Sequence, residues 1–300
     1  MLDQADVDAL VVATPNHTHA DLLEDLWGTG THLLIEKPLS TTPADGRRMV
    51  AGASRHTGIV QVAMEYRFMP PVARLIAEIR RGTVGRIRML AIREHRFPFL
   101  PKVGNWNRFA RNTGGTLVEK CCHFFDLMRH IVQAEPVTVF ASGGHDVNHL
   151  DERYDGEVPD ILDNAFVVVD FANGVRASLD LCMFADASRN QEEISAVGDA
   201  GKVECFIPES TVRIGRRQPG RVRMAVDAVE EHDVPVDARL LGAGHHHGAT
   251  FFEHRAFVEA IRTGGAQVVS ADDGLQAVRI GAAAEHSVSE RRVVDMTEMG

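Results

Sequence analysis

The chain has 300 residues, 44% hydrophobic and 25% charged, an ordinary globular composition with length for about two domains. Its 32 Lys and Arg face 42 Asp and Glu, and a formal charge of −10 excludes the electrostatic footprint of a nucleic-acid or anionic-membrane binder. No apolar run approaches the roughly 18 residues that span a bilayer, and Met1 to Asp6 carry neither a basic region nor an apolar signal core; a cytoplasmic location is expected.

The apolar run Val7 to Ala13 reads as a strand, Asn16 to Gly30 as a helix and His32 to Ile35 as a second strand. A helix from Pro43 to His56 follows with Thr42 as its N-cap, then a strand from Ile59 to Ala63. Short apolar strands alternating with helices imply a parallel sheet covered on both faces. The texture changes after Tyr66, where Pro70-Pro71 opens a helix to Arg81 and Ile87 to Arg96 reads as a long strand. Residues 98 to 114 read as loop, and Gly114-Gly115 leads into a helix from Thr116 to Val132.

From Val137 to Val226 the pattern is strands separated by turns: Val137 to Ser142, Asn164 to Phe171, Val175 to Phe184, Glu192 to Val197, Lys202 to Ile207 and Thr211 to Ile214. Asn173-Gly174 marks a hairpin. The expected result is a mainly antiparallel sheet with helices on one face, the other open to ligand or subunit, closed by helices from Ala249 to Thr263 and Ala271 to Ser289.

Three segments place polar residues where open α/β sheets bind ligands, beyond the carboxyl ends of strands. They are Thr14-Pro15-Asn16-His17-Thr18-His19, Glu36-Lys37-Pro38, and the run from Gly114 through Glu119 and His123 to Asp126. Singly, each has an ordinary account as a turn, a cap or an exposed ion pair. Together they converge, because the first two open on one sheet edge and Glu119 and His123, spaced i,i+4, share one helix face.

On these residues the chain resembles the Gfo/Idh/MocA oxidoreductases, through Ala13-Thr14-Pro15-Asn16 with His19, Glu36-Lys37-Pro38, Gly114-Gly115 through His123 and Asp126, and the closing helices. The resemblance implies an α/β plus α+β protein. Residues 1–64 would be the C-terminal half of a Rossmann domain, and residues 65–300 a substrate domain whose large, open, mainly antiparallel sheet forms the interface of a dimer or tetramer. It implies NAD or NADP as cofactor and a small sugar or polyol as substrate, with no nucleic-acid or membrane partner. Thr14, Pro15, Asn16, His19, Glu36, Lys37 and Pro38 would hold the cofactor side, with Lys37 beside the nicotinamide and the substrate oxygen. Where the family carries Asp-x-x-x-His, this chain has Glu119-Lys120-Cys121-Cys122-His123.

Oxidising an alcohol needs a base for the hydroxyl proton while hydride leaves carbon, and a histidine or a lysine of depressed pKa serves near neutral pH. The expected roles are His123 as base or relay, Glu119 orienting it, and Lys37 stabilising the developing alkoxide. His95, Trp106, Asn107, Arg108 and His247 are further candidates to frame a polyol. His245-His246-His247 invites a metal reading, but three successive loop residues rarely converge on one ion, and none is expected. The cysteines 121, 122, 182 and 205 form no CxxC pair; Cys121 and Cys122 are expected to be buried as small hydrophobes.

A dinucleotide fold ordinarily opens with strand, G-x-G-x-x-G and helix, followed by an acidic ribose ligand; the sequence has no such segment. By the resemblance the first strand here corresponds to the family's fourth. Met1 is therefore expected to be an internal methionine of a longer natural polypeptide, some 60 residues or more lying upstream at about 30 per βαβ unit. The chain as it stands is expected to bind nicotinamide weakly. Two other readings compete with dehydrogenase chemistry, a glycosidase that uses NAD transiently and a non-catalytic remnant or sensor that has lost cofactor binding.

Overall fold

A computed structural model describes residues 7–220, 223–224, 226–242 and 246–300. The first apolar runs form three strands, β1 (Ala9–Val12), β2 (His32–Glu36) and β3 (Val60–Ala63), joined by helices α1 (His19–Glu24) and α2 (Pro43–Ala53). They pair in parallel in the order β1-β2-β3. At the start of α2 the Thr42 hydroxyl accepts a hydrogen bond from the Asp45 amide at 3.1 Å, and Pro43 occupies the first turn, where its missing N–H costs nothing. Among the described residues β1 has β2 as its one partner, and its Val11 is 55% exposed.

A 3-10 turn, Glu65–Phe68, leads into α3 (Pro70–Arg80) and the long strand β4 (Ile87–His95). The short helices α4 (Ala110–Thr113) and α5 (Thr116–Glu119) precede α6 (Cys122–Val132). Six strands follow, β5 (Pro136–Gly144), β6 (Asn164–Phe171), β7 (Arg176–Cys182), β8 (Glu192–Gly198), β9 (Gly201–Ile207) and β10 (Thr211–Arg216), and then β11 (Val229–Asp233). The chain closes with α7 (Ala238–Gly242), α8 (Ala249–Thr263), α9 (Ala271–Glu290) and β12 (Val294–Asp295).

The second sheet runs β11-β10-β9-β8-β4-β7-β6-β5-β12, and its pairings are antiparallel except that of β4 with β7. The expected mixed α/β architecture with a large, mainly antiparallel sheet is what forms. Period-two alternation fixes its faces. On β6, Ala165, Val167, Val169 and Phe171 point inward and are buried, while Phe166 and Val168 point outward. The inner face lies under α9, α6 and α3, which pack on β5, on β4, and on β9 and β10 respectively. α9 also packs against α2, so one apolar core continues from the small sheet into the large one. No helix among the described residues is long and apolar enough to cross a membrane.

Several elements depart from the expectation. The helix expected over Asn16 to Gly30 is a 3-10 turn, Asn16–Thr18, followed by α1, which ends at Glu24; Gly28 and Gly30 beyond it lie at φ +86° and +78°. Residues 98 to 114 hold a 3-10 segment (Val103–Arg108) and α4. The helix expected over Thr116 to Val132 is interrupted at Lys120 and Cys121. The Glu119 carbonyl at that break accepts from Lys37 Nζ at 3.1 Å and from the Cys122 thiol at 3.4 Å. A side chain from the first sheet thus inserts into the helical ladder, a recognised cause of helix breaks.

Candidate active site

The carboxyl ends of the three parallel strands open toward the α5–α6 break. Thr14, Pro15 and Asn16 follow β1, Glu36 and Lys37 end β2, and Glu65 follows β3. Opposite them stand Glu119, Lys120 and His123. Between lies a cavity of about 1450 Å³, walled on one side by the loop carrying Phe97, Phe99 and Trp106 and on another by His246, His247 and Thr250.

Two glycines make the approach of α5 possible. Gly114 and Gly115 lie at φ +81° and +93°, and a Cβ on Gly115 would collide with the Glu285 carboxylate of α9. That carboxylate accepts from the Leu117 amide at 2.8 Å and so satisfies the start of α5, while burial pushes its pKa up to about 7.

Lys37 reaches from the end of β2 to donate to the Glu119 carbonyl. Burial works against its charge, but the carboxyls of Glu119, Glu36 and Glu65 outweigh it and hold the ammonium above the ordinary lysine range. Lys37 is therefore a fixed cation and not the depressed-pKa base that the sequence also allowed. His123 is 2% exposed and stacked on Tyr66, ring centroids 4.2 Å apart and planes 8° apart. Burial, then the cations of Lys37 and Lys120, put its pKa well below the ordinary histidine value, and it is a neutral imidazole at physiological pH. Buried atoms facing this region lack a protein partner: His123 Nδ1, Glu119 Oε2 and Asn16 Nδ2. Such orphans are what a bound hydroxylated ligand and a carboxamide would satisfy.

Behind His123 stands a polar wall that the sequence reading missed. The Tyr66 hydroxyl accepts from Lys120 Nζ at 2.7 Å and donates to Glu192 at 3.1 Å, and Lys120 is paired with the fully buried Glu94 at 2.9 Å. Glu65 was missed as well. Its Oε1 lies 3.8 Å from His123 Nε2 and 3.0 Å from His246 Nδ1, and its Oε2 accepts from Thr250 at 2.9 Å. Glu119 makes no hydrogen bond or ion pair with His123; the break between α5 and α6 separates the two residues that an unbroken helix would have aligned.

The remaining sequence candidates divide. Thr14, Pro15, Asn16, Glu36, Trp106 and His247 line the cavity. His19 is fully buried behind it, one ring nitrogen 3.1 Å from the Pro38 carbonyl and the other 3.0 Å from that of Thr14, so it ties the two strand-end loops together. His95, Asn107 and Arg108 do not line the cavity. His95 points from the outer face of β4 to Asp180 at 3.2 Å, Asn107 braces its own loop through the Leu100 carbonyl, and Arg108 is buried against Glu152 at 2.8 Å. The loop turns Asn107 and Arg108 inward to satisfy its own backbone and a neighbouring carboxylate, while strand alternation on β4 gives His95 to the outer face of the sheet. Among the described residues no three His, Cys, Asp or Glu side chains converge as metal ligands; His245 lies outside them.

The family model for the NAD-binding Rossmann fold of an oxidoreductase family matches residues 1–64, and the model for that family's C-terminal alpha/beta domain matches residues 76–296. The chain is 27% identical to the myo-inositol 2-dehydrogenase of Thermotoga maritima over all of its length and 83% of that protein. It is 25% identical to the levoglucosan dehydrogenase of Pseudarthrobacter phenanthrenivorans, covering all of this chain and 82% of the relative. An oxidoreductase domain protein from Kribbella flavida shares the fold, with a TM-score of 0.84 at 23% identity over 98% of this chain and 82% of that one. Its sequence motifs, its two sheets and the extent of these matches all agree, and the chain belongs to the Gfo/Idh/MocA family of oxidoreductases.

Proposed function

We propose that the protein oxidises a secondary alcohol of a sugar, inositol or related ring polyol with NAD or NADP as hydride acceptor. The observation that carries this reading is the pairing, across one cavity, of a fixed cation, Lys37, with a neutral imidazole, His123. The relatives named for inositol and levoglucosan dehydrogenation support the substrate class. Asn16, Glu36 and Lys37 fit the nicotinamide side, since the orphaned Asn16 amide suits a carboxamide. The bound nicotinamide would supply the hydride acceptor. His123 takes the hydroxyl proton, Lys37 stabilises the charge that develops on oxygen, and Glu119 offers its unpartnered oxygen to a second hydroxyl.

The test is the full chain assayed against a panel of inositols and sugars with both cofactors, each raised until the rate no longer rises so that weak nicotinamide binding does not mask turnover, following cofactor absorbance. Net reduction of the cofactor is expected; release of free sugar from a glycoside without it would show the proposal wrong. Because the base form of His123 is the active one and its pKa is lowered, the oxidation rate should hold as pH falls through 6.5 and fail only below. An acid limb at or above 6.5 would contradict the assignment of His123 as base.

The outer face of the large sheet is proposed to join copies of this chain in a dimer or tetramer. Phe140 stands opposite Val168 in register, and Phe166 and Met89 extend the same apolar surface, Phe166 with 66% of its area exposed. Phe166→Glu should convert the oligomer to monomer in light scattering without lowering the melting temperature of the fold; a monomeric unaltered protein would refute the interface. The four cysteines form no disulfide, which fits the reducing cytoplasm proposed as its location.

A further inference from the structure

Alcohol oxidation yields a proton that has to leave a buried site, and His123 is 2% exposed. The groups around it differ in their outlets. Lys37 and Lys120 are cations committed to Glu119 and to Tyr66 and Glu94. Tyr66 covers one face of the His123 ring, and Glu119 does not touch it. Glu65 Oε1 lies 3.8 Å from Nε2, and that same oxygen also meets His246 Nδ1 at 3.0 Å. The His246 side chain is 34% exposed at the rim of the cavity.

We infer that Glu65 is a positioning residue that carries the substrate proton out of the site, from His123 through Glu65 to water at the cavity rim beside His246. The inference rests on the dehydrogenase reading. The proton taken by the His123 ring passes from Nε2 to Glu65 Oε1 and then to water at the cavity rim, while His246 Nδ1–H holds that oxygen in place, so that N–H and O–H bonds alone change and one proton reaches solvent per turnover. The 3.8 Å gap closes by a small ring movement, as such contacts do when substrate binds. Three features favour this direction of travel. His123 is a weakly basic imidazole that gives its proton up readily. Glu65 rests as a carboxylate, because His246 and Thr250 hydrogen bonds and Lys37 outweigh the effect of burial and lower its pKa, so it holds the proton only in passing and releases it to water. Thr250 on α8 holds its other oxygen, so Oε1 keeps its position between the two imidazoles.

The other charged groups facing Glu65 are Glu36, at the end of β2, and Glu253, one turn along α8. Glu253 is buried, and burial together with Glu65 and Glu36 raises its pKa to about 9, so it is neutral and does not compete as an acceptor.

The experiment compares the full chain with Glu65→Gln and His246→Gln, each checked by melting temperature. In Glu65→Gln kcat should fall about 10²-fold, within the range for loss of a positioned proton-transfer group, with KM little changed. Added imidazole or formate should restore much of that rate and leave the unaltered enzyme unaffected. His246→Gln should give a smaller loss, because water can take the proton from Glu65. Nitrogen NMR of the histidines supplies a readout independent of turnover: the hydrogen-bonded Nδ1–H of His246 should be present in the unaltered chain and lost in Glu65→Gln. If Glu65→Gln turns over at the unaltered rate, or loses rate that no external acid or base restores, the route is wrong and the dehydrogenase reading stands. If the unaltered chain reduces neither cofactor with any polyol, that reading falls and the route falls with it.

Discussion

A Lys37→Met variant is expected to lose about 10²–10³-fold in kcat while KM for the polyol changes little, the size of effect seen when a preorganised charge-stabilising donor is removed. Methionine keeps the length and apolar packing of the side chain and removes the charge. Among the described residues Lys37 makes one side-chain hydrogen bond to protein, to the Glu119 carbonyl, so further N–H donors of the ammonium remain for a ligand oxygen. That oxygen gains negative charge as the reaction proceeds, and an interaction that strengthens with that charge lowers the barrier more than it tightens binding. Lys37→Arg should not rescue the loss, because a planar guanidinium cannot place one donor where the ammonium stood. Steady-state kinetics on the three proteins decide it; a fall in kcat smaller than about tenfold, ~1.4 kcal/mol of barrier, would remove Lys37 from the chemistry.

What the sequence revealed of this site follows from how each residue is placed. Thr14 to Asn16 and Glu36-Lys37 were legible because each directly follows a continuous apolar run, and the end of a parallel strand is where such sheets bind ligands. The same rule reaches Glu65, which follows Val60–Ala63 by two residues, but there the polar pair Glu65-Tyr66 reads equally as the turn into the next helix. The pairing of His123 with Glu65 instead of Glu119 could not be read from spacing. It depends on Lys37, remote in sequence, entering the helix at the Glu119 carbonyl.

Asn107 and Arg108 show the converse limit. A polar residue in a glycine- and proline-rich loop carries no local mark of direction, and here both turn inward and are buried. β11 was missed because Val-Glu-Glu-His-Asp has no apolar alternation. It forms as an edge strand paired with β10, with Arg213 and Glu231 2.6 Å apart across the pair, the kind of charged edge that tertiary context and not local propensity selects.

The second large effect is on stability. Asp126→Ala should destabilise the fold by about 3 kcal/mol, the low end of what breaking a buried ion pair costs, because Asp273 at 3.5 Å still faces the Arg67 guanidinium. Arg67 and Asp126 are 8% and 3% exposed, and the guanidinium binds the carboxylate through both Nε and Nη2 at 2.6 and 2.5 Å. A third contact, from Arg67 Nη1 to the Val268 carbonyl at 3.2 Å, ties the pair to the segment that leads into α9. The melting temperature should fall on the order of 10 °C. Replacing both partners, Arg67→Met with Asp126→Leu, should cost less than Asp126→Ala alone, since no buried charge is then left unpaired. Equal losses in the single and double variants would mean that packing, and not the charge, is what Asp126 contributes. The position of the pair gives the experiment a second readout. Arg67 lies two residues from Glu65, and Asp126 lies three residues from His123 on α6, so the ion pair fixes the strand-end turn against the helix that bears the base. If that is its role, the double variant should recover most of the stability and still show a reduced kcat, because the apolar contact no longer sets the angle at which Glu65 meets the imidazole.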